Sequence, residues 1–330
     1  MVKILSMAGA EIKGYALPPV TDPDLYNTLG VDTLCTSVFG DIMDREKLIR
    51  EIVDFAPDVI FHLAAQPLVR LSYDIPAETF GVNAIGTAHV LDAVRRIDKP
   101  CTAILITTDK VYHNNEWNFP YRENDRLGGY DPYSASKACA ELVIDSYRNS
   151  SLSYNDHKKA IVRASAGNVI GGGDWAKDRL IPDIVRALHS REEIVLRNPA
   201  AVRPWQHVLE PLGGYLLLGY LASVRYDDLS DAYNFGPNPE DTLTVEQMTA
   251  LATDIWGIGK YRVEQNLSAP HEAGLLKLDI SLAKAELEWK PGMNAHKALE
   301  LTLQWYKTYY QNKESISALT ERQIQYFFSK

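Results

Sequence analysis

The sequence has few cysteines and no long hydrophobic run. Its three cysteines, Cys35, Cys101 and Cys139, are too few and too scattered for a disulfide framework or a zinc site. The eight histidines show no close metal-ligand spacing, so we expect no metal centre. Apolar stretches such as 211–222 are shorter than the roughly 20 residues of a membrane-spanning helix, and Met1 opens no signal-peptide pattern. These absences favour a cytoplasmic enzyme that does not contact a membrane.

An excess of positive charge is also missing. The chain has 34 basic and 43 acidic residues and a formal net charge of −9. Because nucleic-acid-binding domains are normally basic, we expect no nucleic-acid partner. With 330 residues, of which 46% are hydrophobic, the chain is long enough for a large core divided between two lobes.

Strand-like and helix-like segments alternate in the first half of the chain. The patterns predict strands at 12–17, 33–42, 58–63, 103–108 and 160–164, and helices at 44–55, 76–96 and 132–148. Repeated β–α alternation predicts a parallel sheet with helices on both faces, which is a doubly wound α/β fold. After Gly167 the pattern loosens, with helices predicted at 181–189, 211–224, 245–255 and 294–310. This mixed region predicts a smaller second α/β lobe that closes over a ligand.

The string YSASK at 133–137 opens one of the predicted helices. Asp131 is the predicted N-cap, and Pro132 suits the first turn. Tyr133 and Lys137 are four residues apart and therefore lie on one helix face. An ammonium group lowers the pKa of a nearby tyrosine, so the pair is a candidate acid/base pair. Two unrelated side chains on a solvated face are the alternative.

Polar or small residues follow several of the predicted strands. In an open α/β sheet, ligands bind where parallel strands end. A long polar loop at 113–130 then leads to Tyr133, and loops of that length often cover a binding site. The strand ends carry Gly40, Asp41 and Ile42, then His62, Leu63, Ala64, Ala65 and Gln66, and then Thr107, Thr108, Asp109 and Lys110.

These strings resemble those of the extended short-chain dehydrogenase/reductases. Within that family, the chain is most similar to the nucleotide-sugar 4,6-dehydratases that act on CDP-glucose. Asn83 with Gly86 and Thr87 is a further general mark of the family. More specific marks are QPLVR at 66–70, TDK at 108–110, AGNVIGGGDW at 166–175 and RPWQHVLEP at 203–211. The resemblance extends from residue 5 to about residue 310.

The resemblance implies a redox-neutral dehydration of CDP-glucose on tightly held NAD in a homo-oligomer, either a dimer or a tetramer. Tyr133 would take the proton of the sugar 4-hydroxyl while hydride passes to NAD, and Thr108 would hydrogen-bond the reacting oxygen. Lys137 would hold the nicotinamide ribose and lower the pKa of Tyr133. Asp109 would protonate the departing 6-hydroxyl. Lys110 would be the C5 base, where related dehydratases have Glu, and such a lysine must be partly neutral.

The resemblance also assigns binding residues. The implied NAD-binding residues are Asp41, Ile42, Leu63, Ala64, Ala65, Gln66, Asn83, Thr107, Tyr133 and Lys137. The implied substrate-binding residues are Asn168, Asp174, Trp175, Arg179, Leu180, Arg203 and Asn234. Arg179 and Arg203 would hold the diphosphate, and ordinary surface salt bridges are the alternative for both. Ser165 stands where relatives often have arginine, which leaves one contact unassigned. The glycines of 167–173 lack the spacing of a phosphate loop and suit a substrate loop better.

The family's first strand and its Gly-rich turn, which holds the cofactor diphosphate, do not precede these motifs. Residues 1–10 resemble the end of the first helix, with Gly9 as its C-terminal cap, and 12–17 resembles the second strand. We therefore expect an incomplete dinucleotide-binding domain at 1–166 and, mainly, a substrate lobe at 167–330, with some segments returning to the first domain. One hypothesis is a dehydratase whose recorded start lies downstream of the true one. A truncated, non-catalytic remnant and a nucleotide-sugar 4-epimerase or 4-reductase are the alternatives.

Overall fold

A computed structural model describes residues 1–152, 158–264 and 274–329 of the protein. The strands are β1 (Lys13–Ala16), β2 (Thr36–Phe39), β3 (Val59–His62), β4 (Cys101–Thr108), β5 (Lys159–Ala166), β6 (Val169–Ile170), β7 (Ile194–Leu196), β8 (Val202–Arg203), β9 (Gln206–His207), β10 (Ala232–Phe235), β11 (Leu243–Thr244) and β12 (Tyr261–Val263). The helices are α1 (Val2–Met7), α2 (Leu25–Thr28), α3 (Arg45–Phe55), α4 (Val69–Asp74), α5 (Pro76–Phe80), α6 (Gly86–Val94), α7 (Pro132–Ser150), α8 (Leu180–Ser190), α9 (Leu209–Arg225), α10 (Val245–Trp256), α11 (Ser281–Glu286), α12 (Ala295–Gln311) and α13 (Ile316–Phe328). No helix in these three segments is long and apolar enough to cross a membrane.

The largest sheet has four parallel strands in the order β10-β5-β4-β3. Its centre is buried on both faces because alternate side chains enter two different cores. Ile104 of β4 packs in the core that contains α9. Its neighbours Ala103 and Leu105 pack in the core that contains α6 and α7. Helices therefore cover both faces of a parallel sheet, which confirms the predicted doubly wound α/β fold.

The sheet is divided into two parts. Strands β1 and β2 form a parallel pair of their own, and no described strand lies hydrogen-bonded between β1 and β3. The residues of β3 are less buried than those of β4, as expected for a strand at a sheet edge. This break agrees with the prediction of a sheet that lacks its first strand.

Two predicted helix ends are confirmed in atomic detail. Gly9 follows α1 with a φ of 78°, and its N–H donates to the carbonyl of Ser6. At the start of α7, the Asp131 carboxylate accepts hydrogen bonds from the backbone N–H of Ser134, at 2.9 Å, and from the Ser134 hydroxyl, at 2.6 Å. The N-cap fixes the residue at which α7 begins and therefore the direction in which Tyr133 leaves the helix.

The helix predicted over 76–96 is interrupted. Between α5 and α6 the chain makes a π-helical turn at Gly81–Ile85. This wide turn holds Asn83, which is 1% exposed and donates from Nδ2 to the Ser136 hydroxyl at 2.8 Å. Asn83 Oδ1 also accepts from the Gln66 N–H at 2.9 Å. The turn therefore connects the loop after β3 to α7, and a buried polar contact accounts for the irregularity.

A third core lies in the C-terminal half of the chain and contains side chains of α8, α10, α12 and α13. Its close packing explains part of the glycine-rich string at 167–173. A Cβ on Gly172 would lie 2.0 Å from Cγ of Trp305, and a Cβ on Gly167 would lie 2.5 Å from Cγ of Pro204. Both glycines are required because neighbouring side chains fill the space that a Cβ would occupy.

Replacement of Gly172 by alanine should destabilise the protein by about 1–3 kcal/mol, because the new methyl group overlaps the Trp305 ring. Gly236→Ala is the matched control, since its Cβ would be 3.6 Å from the nearest atom. Thermal unfolding of both variants measures the difference. A midpoint for Gly172→Ala equal to that of the control would contradict the described packing.

Candidate active site

One cavity of about 1070 Å³ lies at the carboxyl ends of β4 and β5, between the sheet and the second lobe. It brings together residues that are far apart in the sequence. The predicted site residues that line it are Leu63, Thr107, Thr108, Asp109, Lys110, Tyr133, Asn168, Asp174, Arg179, Leu180 and Arg203. A sheet edge and a mixed lobe thus form a single cleft, as expected for ligand binding in an open α/β fold.

Tyr133 enters this cavity from the first turn of α7. Its backbone N–H donates to the Ser72 hydroxyl at 3.1 Å, and its side chain is 9% exposed. Burial raises the pKa of Tyr133 to about 12; the nearby Asp109 also raises it, whereas a hydrogen bond with Thr108 and the charge of Arg179 oppose the shift. Burial is the largest cause of this shift, and the expectation that Lys137 lowers the pKa of Tyr133 stays a prediction.

Lys137 lies one turn further along α7 and is 6% exposed. Its Nζ donates to the carbonyl of Ile106 at 3.2 Å. Burial lowers the pKa of Lys137 to about 8, and the Glu141 carboxylate acts in the opposite direction. An ammonium group has three N–H donors, so this hydrogen bond leaves donors for a second acceptor such as a ribose hydroxyl.

Asp109 follows Thr108 at the end of β4 and begins a 3₁₀ turn. Its Oδ1 accepts from the Thr108 hydroxyl at 2.9 Å, while its Oδ2 has no hydrogen-bond partner among the described residues. Burial raises the pKa of Asp109, against the opposing effects of Lys110, the Thr108 hydrogen bond and Arg203. A buried carboxyl group of this kind retains its proton more readily than an exposed one and can act as an acid.

Lys110 is the next residue of the 3₁₀ turn and is half-buried. Its backbone N–H lies 3.5 Å from the Thr108 hydroxyl, and the residue lines the same cavity as Asp109 and Tyr133. The three groups therefore approach one ligand space from two elements, the turn after β4 and the start of α7. This arrangement provides an acid, a tyrosine and an amine within a single cavity.

The cavity is richer in positive charge than the chain as a whole. Seven basic residues line it, against the five acidic residues Asp74, Asp109, Asp174, Asp178 and Asp183. This local excess favours an anionic ligand such as a diphosphate. The basic residues are Arg70, Lys110, Lys177, Arg179, Arg186, Arg197 and Arg203.

The two arginines predicted for the diphosphate have protein partners in the structure. Arg179 Nη1 lies 2.9 Å from Oδ2 of Asp174, so the predicted alternative of a salt bridge is present at this residue. Arg203 is 7% exposed and donates from Nη1 to the carbonyls of Val202, at 3.0 Å, and Gly274, at 3.3 Å. Both residues still line the cavity.

Two predicted substrate contacts lie away from the cavity. Asn234 is completely buried in β10, where its Oδ1 accepts from the Tyr112 hydroxyl at 2.8 Å and its Nδ2 donates to the Tyr121 carbonyl at 3.1 Å. Trp175 is 8% exposed, and its ring centroid lies 5.1 Å from that of Tyr306. Both side chains pack inside the protein and neither lines the cavity, so their role as substrate contacts stays a prediction.

Several predicted cofactor residues have local structural contacts outside the cavity. The Asp41 carboxylate accepts from the Met43 N–H at 2.8 Å, and the Gln66 side chain bonds to the backbone of Leu68. Ile42 packs against Gly86 of α6, where an added Cβ would lie 3.0 Å from Cγ2 of Ile42. Asn83 binds Ser136, and Ala64 and Ala65 lie in the loop after β3. These residues surround the edge where β1, β2 and β3 end, next to the cavity rather than in it.

Large apolar side chains are exposed along that same edge. Leu17 follows β1 and is 59% exposed, Phe39 ends β2 and is 46% exposed, and Leu63 follows β3 and is 47% exposed. Each is an exposed apolar side chain at the carboxyl end of a parallel strand, where ligands bind in open α/β sheets. Together with the free donors of Lys137, they make this half of the site compatible with NAD.

Among the cavity residues that sequence reasoning missed are Arg70, Lys177, Arg197 and Tyr215. Arg70 ends the QPLVR motif and Lys177 lies two residues after the AGNVIGGGDW motif, so their positions in or beside these motifs were a usable signal. Arg197 and Tyr215 lie in segments without any motif. Only the tertiary structure brings α9 and the segment after β7 to the cavity.

A sequence model of GDP-mannose 4,6 dehydratases matches residues 26–302. The chain belongs to the GDP-mannose 4,6 dehydratase family. A CDP-glucose 4,6-dehydratase from Salmonella typhimurium (strain LT2) is 43% identical over 328 residues, which cover 98% of this chain and 91% of that protein. A CDP-paratose 2-epimerase from Salmonella typhi is 34% identical over 288 residues, covering 81% of this chain and 83% of the relative. The predicted resemblance to the extended short-chain dehydrogenase/reductases is confirmed.

Solved structures of similar proteins share the fold of this family member. A dTDP-glucose 4,6-dehydratase from Streptomyces venezuelae, solved with NAD and TYD bound, superposes with a TM-score of 0.78 at 23% identity and covers 96% of this chain and 95% of that one. A UDP-glucose 4-epimerase from Thermotoga maritima, solved with UDP-glucose, gives a TM-score of 0.79 at 20% identity and covers 94% of each chain. At these identities the likeness shows the fold alone.

The buried His62 beneath the site should make stability depend on pH. Burial, with a smaller contribution from Lys137, lowers its pKa to about 3, so the folded protein holds it neutral. Below about pH 6.5 the unfolded chain binds a proton there that the folded chain does not, and stability is lost as the pH falls. Relative to His62→Gln, the wild-type free energy of unfolding should therefore decrease by about 2 kcal/mol between pH 7 and pH 5.

Replacement of the exposed His296 by glutamine, which removes a histidine from the surface, serves as the matched control. Chemical unfolding at several pH values measures the difference between the wild type and each variant. A difference for His62→Gln that does not change with pH would contradict the neutral, buried state of His62.

Proposed function

We propose that the chain catalyses the NAD-dependent dehydration of CDP-glucose to CDP-4-keto-6-deoxyglucose. The 43% identity to a CDP-glucose 4,6-dehydratase over almost the whole chain supports the substrate. The observation that carries the reaction type is Asp109, which is 2% exposed, has an Oδ2 without a hydrogen-bond partner among the described residues and shares one cavity with Tyr133. An alcohol oxidation needs only the tyrosine, whereas elimination of water also needs an acid for the leaving hydroxyl.

NAD would accept a hydride from C4 of the sugar and return it to C6. Tyr133 and Lys137 would hold its nicotinamide ribose, and the apolar edge formed by Leu17, Phe39 and Leu63 would support its adenosine half. Residues 1–166 would act as the cofactor domain, and residues 167–330 mainly as the substrate domain. We further propose that the enzyme works in the cytoplasm as a dimer or tetramer, in the biosynthesis of deoxysugars for cell-surface polysaccharides.

Tyr133 would be the base of the first half-reaction. As phenolate, Tyr133 would take the proton of the sugar 4-hydroxyl, while Thr108 would donate a hydrogen bond to the same oxygen. Because burial raises the pKa of Tyr133 to about 12, the phenolate requires positive charge close to it. Arg179 already acts in that direction, and Lys137 lies on the same helix face one turn away.

Asp109 and Lys110 would be the acid and the base of the second half-reaction, the elimination of water. A ketone at C4 makes the C5 hydrogen acidic, and Lys110 would remove it as a base. Asp109 would donate its proton to the departing 6-hydroxyl, for which its raised pKa and free Oδ2 suit it. Arg203, Arg179, Lys177 and Asn168 would hold the nucleotide diphosphate and the sugar, and Asp174 would orient Arg179.

A nucleotide-sugar 4-epimerase or 4-reductase would use the same Tyr133 and Lys137 but would not need the acid and base at 109 and 110. A non-catalytic remnant would bind none of these ligands. Purified chain should be incubated with NAD and, separately, with CDP-, dTDP-, GDP- and UDP-hexoses. We expect a 4-keto-6-deoxy sugar from CDP-glucose at a rate well above those with the other nucleotides. Release of the C4 epimer, or recovery of CDP-glucose unchanged, would overturn the proposal, and absence of NAD binding would favour the remnant.

Two variants should stop the reaction at different points. Tyr133→Phe lacks the base for the 4-hydroxyl, so turnover should fall by about 10²- to 10⁴-fold and no hydrogen should exchange at C5. Asp109→Asn keeps Tyr133 and Lys110 but lacks the acid, so C5 should still exchange deuterium from D₂O while little 6-deoxy product forms. Nuclear magnetic resonance of the sugar follows both events.

Substrate binding, measured by calorimetry, serves as the control and should be nearly unchanged in Tyr133→Phe. Equal exchange at C5 in the two variants, or normal turnover in either, would contradict the assigned roles.

A further inference from the structure

The third ionisable residue on the buried face of α7 is Glu141, one turn after Lys137. It is 1% exposed and belongs to none of the assigned roles. Its Oε1 accepts from the Thr107 hydroxyl at 2.7 Å and lies 3.2 Å from the Ser165 hydroxyl. Its Oε2 forms an ion pair with Arg163. Burial raises the pKa of Glu141, while the charge of Arg163 and the hydrogen bonds from Thr107 and Ser165 act in the opposite direction and favour the carboxylate.

The partners of Glu141 come from the two central strands where those strands reach the cavity. Thr107 of β4 and Ser165 of β5 lie opposite each other in the sheet register, and their hydroxyls are 2.7 Å apart. Glu141 therefore connects the carboxyl ends of β4 and β5 to α7. Thr107 directly precedes Thr108 and Asp109, so this contact fixes the backbone from which the acid projects.

Charge balance around Glu141 also involves Lys137. The cluster contains the cations Lys137 and Arg163 next to Glu141, and the partly exposed Asp145, which lies 3.2 Å from Nε of Arg163 and 3.3 Å from Nη2 of Arg148. His62 of β3 also faces Lys137 and is neutral, because burial and the charge of Lys137 lower its pKa. Tyr133 lies one turn before Lys137 on the same helix, and Asp109 faces Tyr133 from the turn after β4.

Of Lys137 and Arg163, only Lys137 can lose its proton when a neighbouring charge is removed. Arginine stays protonated in proteins, whereas a buried lysine loses its proton readily. If the Glu141 charge were removed, Arg163 would keep Asp145 as its partner, and the uncompensated positive charge would be relieved by deprotonation of Lys137.

We propose that Glu141 is a positioning residue of the reaction, which keeps Lys137 charged and holds Thr107, and with it the turn that carries Asp109, against α7. This role rests on the proposed function only in so far as that function needs a charged Lys137. The Glu141 carboxylate does not touch the reacting atoms and acts through the ammonium group and the strand ends.

The test compares Glu141→Gln with Asp145→Asn, which removes one carboxylate charge from the same helix one turn further from Lys137. Activity requires a charged Lys137, so it is present below the pKa of that residue and is lost above it. In Glu141→Gln the alkaline limb of the kcat/KM profile should move to lower pH by about one unit or more, whereas Asp145→Asn should leave it in place. Glu141→Asp keeps the charge, so its alkaline limb should lie near the wild-type pH.

A second readout does not depend on turnover. The titration of the Lys137 Nζ is followed by nuclear magnetic resonance of the isotope-labelled chain, with the signal assigned by its loss in Lys137→Met. We expect the midpoint to fall in Glu141→Gln and to stay unchanged in Asp145→Asn. If the chain acts on no nucleotide sugar but this midpoint shifts, the proposed function fails and the role of Glu141 stands.

Equal Lys137 midpoints in the wild type and Glu141→Gln would overturn the role of Glu141, whatever the activity. Circular dichroism checks that each variant folds. If Glu141→Gln does not fold, Glu141→Asp is compared with Asp145→Asn instead. Glu141→Asp lengthens the distance to Thr107, so kcat should fall while the alkaline limb stays near its wild-type pH. An unchanged kcat would then overturn the proposal.

Discussion

The burial of one face of α7 against β4 and β5 is the constraint on which the site depends. This face carries Tyr133, Lys137 and Glu141 at successive turns, and they are 9%, 6% and 1% exposed. Burying an ionisable group without partners costs several kcal/mol, so each needs a defined contact. The strand ends provide these contacts through the carbonyl of Ile106 and the hydroxyls of Thr107 and Ser165. The helix and the strand ends therefore fix each other's position.

The same burial divides the acid and base roles. It raises the pKa of Asp109, which favours a carboxyl group that keeps its proton, and it lowers the pKa of Lys137 to about 8. It also raises the pKa of Tyr133 to about 12. An acid for the leaving hydroxyl and a tyrosine for the 4-hydroxyl thus share one cavity, and positive charge decides when the tyrosine releases its proton.

Local sequence patterns predicted those parts of the structure that depend on neighbouring residues. The N-cap Asp131, the C-terminal cap Gly9 and the strand predicted at 103–108 are local features, and the structure confirms them. The convergence of Thr108, Asp109 and Lys110 with Tyr133 was predictable because parallel strands all end at one edge of a sheet.

Features that depend on tertiary packing were not predictable. Asn234 and Trp175 are polar or amphipathic residues in site-like motifs, but their surroundings bury them away from the cavity. The π-helical turn at Gly81–Ile85 exists because Asn83 bonds to Ser136, which is distant in the sequence. The direction of the pKa shift of Tyr133 follows from its burial, and the i, i+4 spacing alone carries no information about burial.

The central claim is that hydride leaves C4 of the sugar and returns to C6 of the same molecule. CDP-glucose labelled with deuterium at C4 tests it directly, with nuclear magnetic resonance of the product after incubation with the chain and unlabelled NAD. The account predicts that the deuterium appears at C6 of a 4-keto-6-deoxy product. Deuterium that remains at C4 of a recovered hexose would contradict it.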